Sequence, residues 1–137
     1  MSFFKVFDIA GSGMSAQMLR LNTVSSNLAN SQTVSATEEG AYRSRQPVFQ
    51  QVLDALNSDD HSKVKVSQIV ESNASVPLNY MPNHPLANED GYVFGSNVNV
   101  VEEMTNMMSA SRSYQNNTEM MNTSKELLLR TLQLGRG

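Results

Sequence analysis

Residues Gly11-Ser12-Gly13-Met14-Ser15-Ala16 invite a chemical reading, because they fit a G-x-G-x-x-A pattern. In a dinucleotide fold such glycines let backbone amides approach a pyrophosphate. That chemistry needs a strand before the pattern and an acid about 20 residues beyond it. The nearest downstream acid is Glu38, 25 residues after Gly13, and no second β-α unit follows. Small residues on a packed helix face account better for the pattern. His61 and His84 are the only histidines, 23 apart and flanked by turn residues. Even with Asp59, Asp60 or Asp90 they match no common metal-ligand spacing, and they read as surface-loop side chains. There is no cysteine, which removes thiolate catalysis, disulfides and zinc-thiolate sites together. No Ser-His-Asp or paired-carboxylate constellation has local support, so acid-base catalysis is a poor reading. The sequence therefore predicts no enzyme, no cofactor and no metal site.

The chain that would have to position any site has 137 residues, a single domain's worth. Its net charge of −3 excludes a globally basic nucleic-acid binder. No apolar run approaches the roughly 18 residues of a membrane span, so no direct membrane insertion is expected. Met1 to Asp8 lacks the basic start and continuous apolar core of a cleavable secretory signal. Ser, Asn, Gln and Thr number 47, about a third of the chain, and the hydrophobic content is 39%. Such a composition implies a thin core, with some burial left to partners.

Three parts are distinguishable: 1–37, 38–97 and 98–137, with net charges of +1, −4 and zero. All four prolines lie in the middle part, so long helices are confined to the two ends. In the first part Phe4, Phe7, Gly11, Met14, Met18, Leu21, Ser25 and Leu28 follow the alternating 3-4 spacing of a coiled-coil seam. A helix over 2–30 follows, weakest at Gly11 and Gly13. In the last part Val100, Met104, Met107, Ser111, Tyr114, Thr118, Met121, Leu128 and Leu132 form a similar stripe. Asn97 or Asn99 suits the start of this helix and Gly135 its stop. The expected helix over 99–134 would be about 54 Å long, too long to bury itself against a 60-residue middle part.

The middle reads as an outer β module of short antiparallel strands: Val64–Val70, Tyr42–Phe49 with Pro47 arguing for an edge, and Gly91–Phe94. Met81–Pro85 is turn chemistry, and Asn57–Ser62 a polar, mobile loop. The expected fold class is mainly α, with long terminal helices pairing as a coiled coil around this module.

Two features point to burial against neighbours. Five of the nine methionines cluster at Met104, Met107, Met108, Met120 and Met121, an adaptable apolar surface on a helix too long for its own core. The run Arg20–Asn30 carries Asn, Ser and Thr where a self-standing helix would carry Lys and Glu. Such side chains have poor helix propensity. They can hydrogen-bond to neighbours without the desolvation cost of a charge. A capped helix end leading into a loop would explain the same residues equally well.

Ile9–Gln17 followed by Arg20–Asn30 closely resembles the N-terminal motif of flagellar basal-body rod proteins, with an S-x-N-x-A-N-x-x-T segment from Ser25 to Thr33. Asn97–Met104, Ser109–Gln115 and Leu132–Gly135 resemble the matching C-terminal domain. Asn83–Ala87 and Asp90–Val93 are similar to the proximal members of that family. Residues 50–63 match nothing in it. The resemblance implies an axial structural subunit whose terminal helices pack with those of neighbours around a central channel, in a hetero-oligomeric helical tube. It implies export through the flagellar type III export apparatus without a cleaved signal peptide, and assembly in the periplasm. The implied neighbours are other flagellar rod proteins and the basal-body adaptor to the membrane ring. Expected subunit-interface residues on the first helix are Met14, Met18, Leu21, Asn22, Ser25, Asn27, Leu28 and Asn30. On the last helix they are Val100, Met104, Met107, Tyr114, Met121, Leu128 and Leu132. The competing reading is a soluble helical-hairpin adaptor forming a discrete dimer or small bundle.

Overall fold

A computed structural model describes residues 3–53 and 62–135. Two long helices, α1 (Phe3–Ala29) and α2 (Val100–Leu134), enclose five strands in the sequence. These are β1 (Val34–Ser35), β2 (Arg45–Leu53), β3 (Ser62–Glu71), β4 (Leu78–Tyr80) and β5 (Tyr92–Gly95). The fold is mostly helical with a small antiparallel β module, as the patterning implied. Most of the expected Asn57–Ser62 loop, with His61, lies outside the described residues, while Ser62 begins β3.

Asn99 caps α2, its side chain accepting from the backbone N–H groups of Val101 and Glu102. This satisfies two of the orphan donors of the first turn. Glu102 and Glu103 follow in that turn, where the helix dipole favours negative charge. At the other end the Gly135 N–H donates to Thr131 O at 3.1 Å. Its φ of −79° is right-handed, so this stop needs no glycine. At about 1.5 Å per residue α2 runs roughly 52 Å and α1 roughly 40 Å.

The helices pack antiparallel. Arg20 Nη2 donates to Asn106 Oδ1 at 3.0 Å, and Thr118 Oγ1 lies 3.9 Å from Met14 Sδ. Gly11 and Gly13 do not interrupt α1. A Cβ on Gly13 would stand 2.8 Å from Asn117 Nδ2, so the amide of α2 fills the space that the missing side chain leaves. The innermost positions are small or polar: Ala10, Ala16, Val24 and Asn27 on α1, and Glu103, Ala110 and Ser124 on α2. Part of the expected stripe lies in this contact: Met14 meets Thr118, and a Cβ on Gly11 would stand 3.9 Å from Met121 Cε. Met18, Ser25, Val100, Met104 and Leu132 are exposed. Small side chains allow the close approach of two helices, and the bulky ones are displaced to the flanks.

Strands β2 and β3 pair as an isolated two-stranded sheet, from Arg45↔Glu71 to Leu53↔Ser62, with a register shift between Val48 and Phe49. Each strand keeps one free edge, which is where Pro47 is tolerated. The expected Tyr42–Phe49 strand starts later, at Arg45. The second sheet has the order β1-β5-β4. β1 and β4 are two and three residues long, with no periodicity of their own. Only pairing with β5 defines them. Met81–Pro85 forms turns as expected, and Gly91 closes the turn into β5 at φ +83°. A side chain there would be strained in the left-handed region and would meet Pro82.

The core is thin. The largest fully buried side chains are Val93 and Asn27. The chain exposes 9540 Å², whereas a compact monomer of this mass exposes about 7,100 Å².

Candidate assembly surfaces

The polar end of α1 is an internal joint. Asn27 is 0% exposed. Its Nδ2 donates to Arg45 O at 2.8 Å, and its Oδ1 accepts from Arg45 N at 3.0 Å. The amide thus treats the first residue of β2 as a neighbouring strand would. Tyr42 Oη donates to the same Oδ1 at 3.0 Å, and Ser26 Oγ lies 3.3 Å from the phenol oxygen. Asn30 Nδ2 donates to Ser26 O, Ser31 Oγ to Leu28 O and Thr33 Oγ1 to Asn30 O. Each of these carbonyls also accepts the backbone N–H of the same residue, so the side chains add a second bond to each at the end of the helix. A second amide bridge ties the module to α2: Asn97 Oδ1 accepts from Ser44 N at 2.7 Å and its Nδ2 donates to Ala74 O at 2.9 Å. The hairpin is held to α1 by Val64 N donating to Ser12 Oγ at 3.2 Å and by the Lys63–Asp8 ion pair at 3.3 Å.

The interface residues expected from the sequence divide into three groups. Asn27 is wholly buried inside the subunit and has no surface to offer a neighbour. Its three polar contacts, two to Arg45 and one to Tyr42, lie within the subunit. Met14, Leu21, Leu28, Asn30, Met107, Tyr114, Met121 and Leu128 are half-buried, where a side chain can serve the subunit and a neighbour together. Met18, Asn22, Ser25, Val100, Met104 and Leu132 are exposed.

Sequence reasoning missed several positions. Tyr42, which holds Asn27, sits in what read as a strand. Val101 and Met108 are 73% and 59% exposed beside Met104 at 56%. Met108 stood in the methionine cluster but outside the stripe, and Val101 stood in neither. The hairpin exposes Val48, Phe49, Val52, Val64, Ile69 and Val70, far more than a two-stranded ribbon supports alone in water. Glu103 is 3% exposed, and its Oε2 and the Oε1 of Gln17 are buried without a hydrogen-bond partner. Glu103 borders a cleft of about 380 Å³ shared with Arg20 and Arg45.

A larger groove of about 700 Å³ runs between α1 and β3, with Tyr114 of α2 in its lining. Gly11-Ser12-Gly13 lies inside a helix, without the strand and turn that a dinucleotide site requires. His84 Nδ1 accepts from Leu86 N at 3.1 Å within its turn.

Apolar residues outside and amides inside, on a helix pair formed by the chain ends, leave much apolar surface uncovered, as on a structural subunit that packs with others. Comparison with known proteins agrees. Residues 7–37 match the family described as flagella basal body rod protein, and residues 89–134 match the flagellar basal body rod FlgEFG protein C-terminal family. Flagellar basal-body rod protein FlgC of Salmonella typhimurium is 49% identical over 135 residues, covering 98% of this chain and 99% of that one. The FlgC of Escherichia coli O157:H7 is 48% identical with the same coverage. That of Buchnera aphidicola from Baizongia pistaciae is 33% identical over 138 residues, 98% of this chain and 99% of that one. The chain belongs to the FlgC family of flagellar basal-body rod proteins. It is a structural subunit of the bacterial flagellar rod, in the flagellum basal body, and the rod family implies assembly with other flagellar basal-body rod proteins. The first family match spans nearly all of α1 and the internal joint at its end. The second takes in β5 and α2. The two rod-family matches thus fall on the elements that make up the helix pair and its attachment to the module.

Proposed function

We propose that this chain is a proximal rod subunit that self-assembles through its terminal helices and helps transmit torque in the motor axle. Segments 1–37 and 98–137 are the axial parts, and 38–97 the outer module. Export proceeds through the flagellar type III apparatus without a cleaved signal peptide, and the chain joins the rod in the periplasm. Its neighbours there are other rod proteins and the adaptor to the membrane ring. The exposed and half-buried residues of the expected set, from Met14 to Asn30 and from Val100 to Leu132, face those neighbours, with Asn27 as the internal exception.

The observation that carries this reading is the mismatch between interior and surface. An interior of alanines and an asparagine gives little apolar burial, while the outer faces of α2 and the hairpin remain uncovered. Burying apolar area stabilises by about 25 cal/mol per Å², so neighbours can supply the stabilisation that the thin core lacks. A chain of this kind passes an export channel unfolded and orders when its neighbours cover it. Limited proteolysis of dilute purified protein, read by mass spectrometry, tests this. Rapid trimming of both ends with a fragment near 38–97 surviving longest is the expected result. Protection of 3–29 and 100–134 in dilute protein would instead favour the discrete helical-hairpin adaptor.

A further inference from the structure

Two surfaces that share no residue have matching dimensions. On α2, Val100, Val101, Met104 and Met108 form an exposed ridge over the first turns. At 3.6 residues per turn its centre lies roughly 150° around the helix from Glu103, Ala110 and Ser124, which face α1. The groove of about 700 Å³ between α1 and β3 is lined by Met18, Leu19, Val64 and Val66, by the small residues Ser15 and Ala16, and by Tyr114 of α2.

We propose that the α2 ridge of one copy docks in the α1–β3 groove of the next copy of this chain. The inference rests on the assembly reading above and names the faces that it uses. No ridge residue lines the groove, so the two do not meet within one subunit. Their lengths agree: Val100 to Met108 rises roughly 12 Å, and the α1 side of the groove from Ser12 to Asn22 roughly 15 Å. Flexible methionines suit a groove lined in part by small side chains. The surface in excess of a compact monomer is roughly 2,400 Å², against about 800 Å² per partner in a standard stable interface. Each copy therefore has area for both a ridge contact and a groove contact. Because the two surfaces differ, the contact is heterologous and propagates from copy to copy, whereas a self-complementary patch would stop at a dimer.

The chain has no cysteine, so introduced thiols report this contact without background. Ser15→Cys together with Met104→Cys is expressed in a motile bacterium deleted for its own copy, and isolated basal bodies are oxidised mildly. The expected result is a ladder of disulfide-linked species extending beyond the dimer, with each single variant remaining monomeric. The protein present in basal bodies without a ladder would overturn this contact alone. A dimer from either single variant would also overturn it, by showing a self-complementary contact. Absence of the unsubstituted chain from basal bodies would remove the assembly reading and this inference with it. Met18→Cys with Met108→Cys reads the same contact if the first pair perturbs incorporation, and the same outcomes decide it.

Discussion

The end of α1 and the outer face of α2 invert the usual distribution of residues. At the end of α1 an asparagine is completely buried and hydrogen-bonded, while on α2 valines and methionines face solvent. The difference separates two physical tasks. Directional hydrogen bonds at Asn27 fix where β2 leaves the helix, because an amide has one acceptor and one donor side to match to Arg45. Apolar contact on α2 carries no such direction and adapts to a neighbour's shape. Register is set inside the subunit, and adhesion is left for the outside.

That contrast can be broken at either end. The largest expected effect is all-or-none: Leu21→Asp abolishes incorporation into basal bodies while export of the chain continues, as read by immunoblotting secreted and basal-body fractions. Loss of export as well would show that the same position serves both steps. Next, Asn27→Ala strands the Arg45 N–H and C=O and the Tyr42 hydroxyl in a buried site. Its expected destabilisation of the ordered subunit is about 3 kcal/mol, set by the unsatisfied groups and read from the urea concentration that extracts the chain from basal bodies. Tyr42→Phe removes one bond of the same joint and should lose about 1 kcal/mol. Equal values for the two would mean that the backbone bridge to Arg45 contributes little. The smallest effect on the free subunit is expected from Met104→Ser with Met108→Ser, within about 0.5 kcal/mol, since both side chains are exposed. Incorporation should nevertheless fall sharply. A destabilised monomer with normal incorporation would reverse the assignment of inside and outside.

Much of the architecture is legible in the residues. Proline placement confined the helices to the ends, Asn99 marked the start of α2, and the β-branched run Val64–Val70 marked β3. The family motif at Ser25–Thr33 was legible as a motif but not as a joint. Its alternative reading, a capped helix end, describes the carbonyl contacts of Asn30, Ser31 and Thr33. Nothing along the chain shows that Asn27 meets a backbone 18 residues on. The helix seam was legible in part, with Met14 and Gly11 against Thr118 and Met121, while the most buried positions were not. Hydrophobic spacing ranks methionine above alanine, whereas close helix approach selects Ala10 and Ala110.

The sequence by itself determined the two helices, the β-rich middle, the lack of thiol chemistry and the family, because these follow from local propensity, composition and motif. Only the tertiary structure decided which side of each helix turns inward, which strands exist as partners of β5, and which asparagine is enclosed. Those outcomes depend on how near two segments can come in space, and that distance is a property of pairs of elements that no single stretch of chain contains.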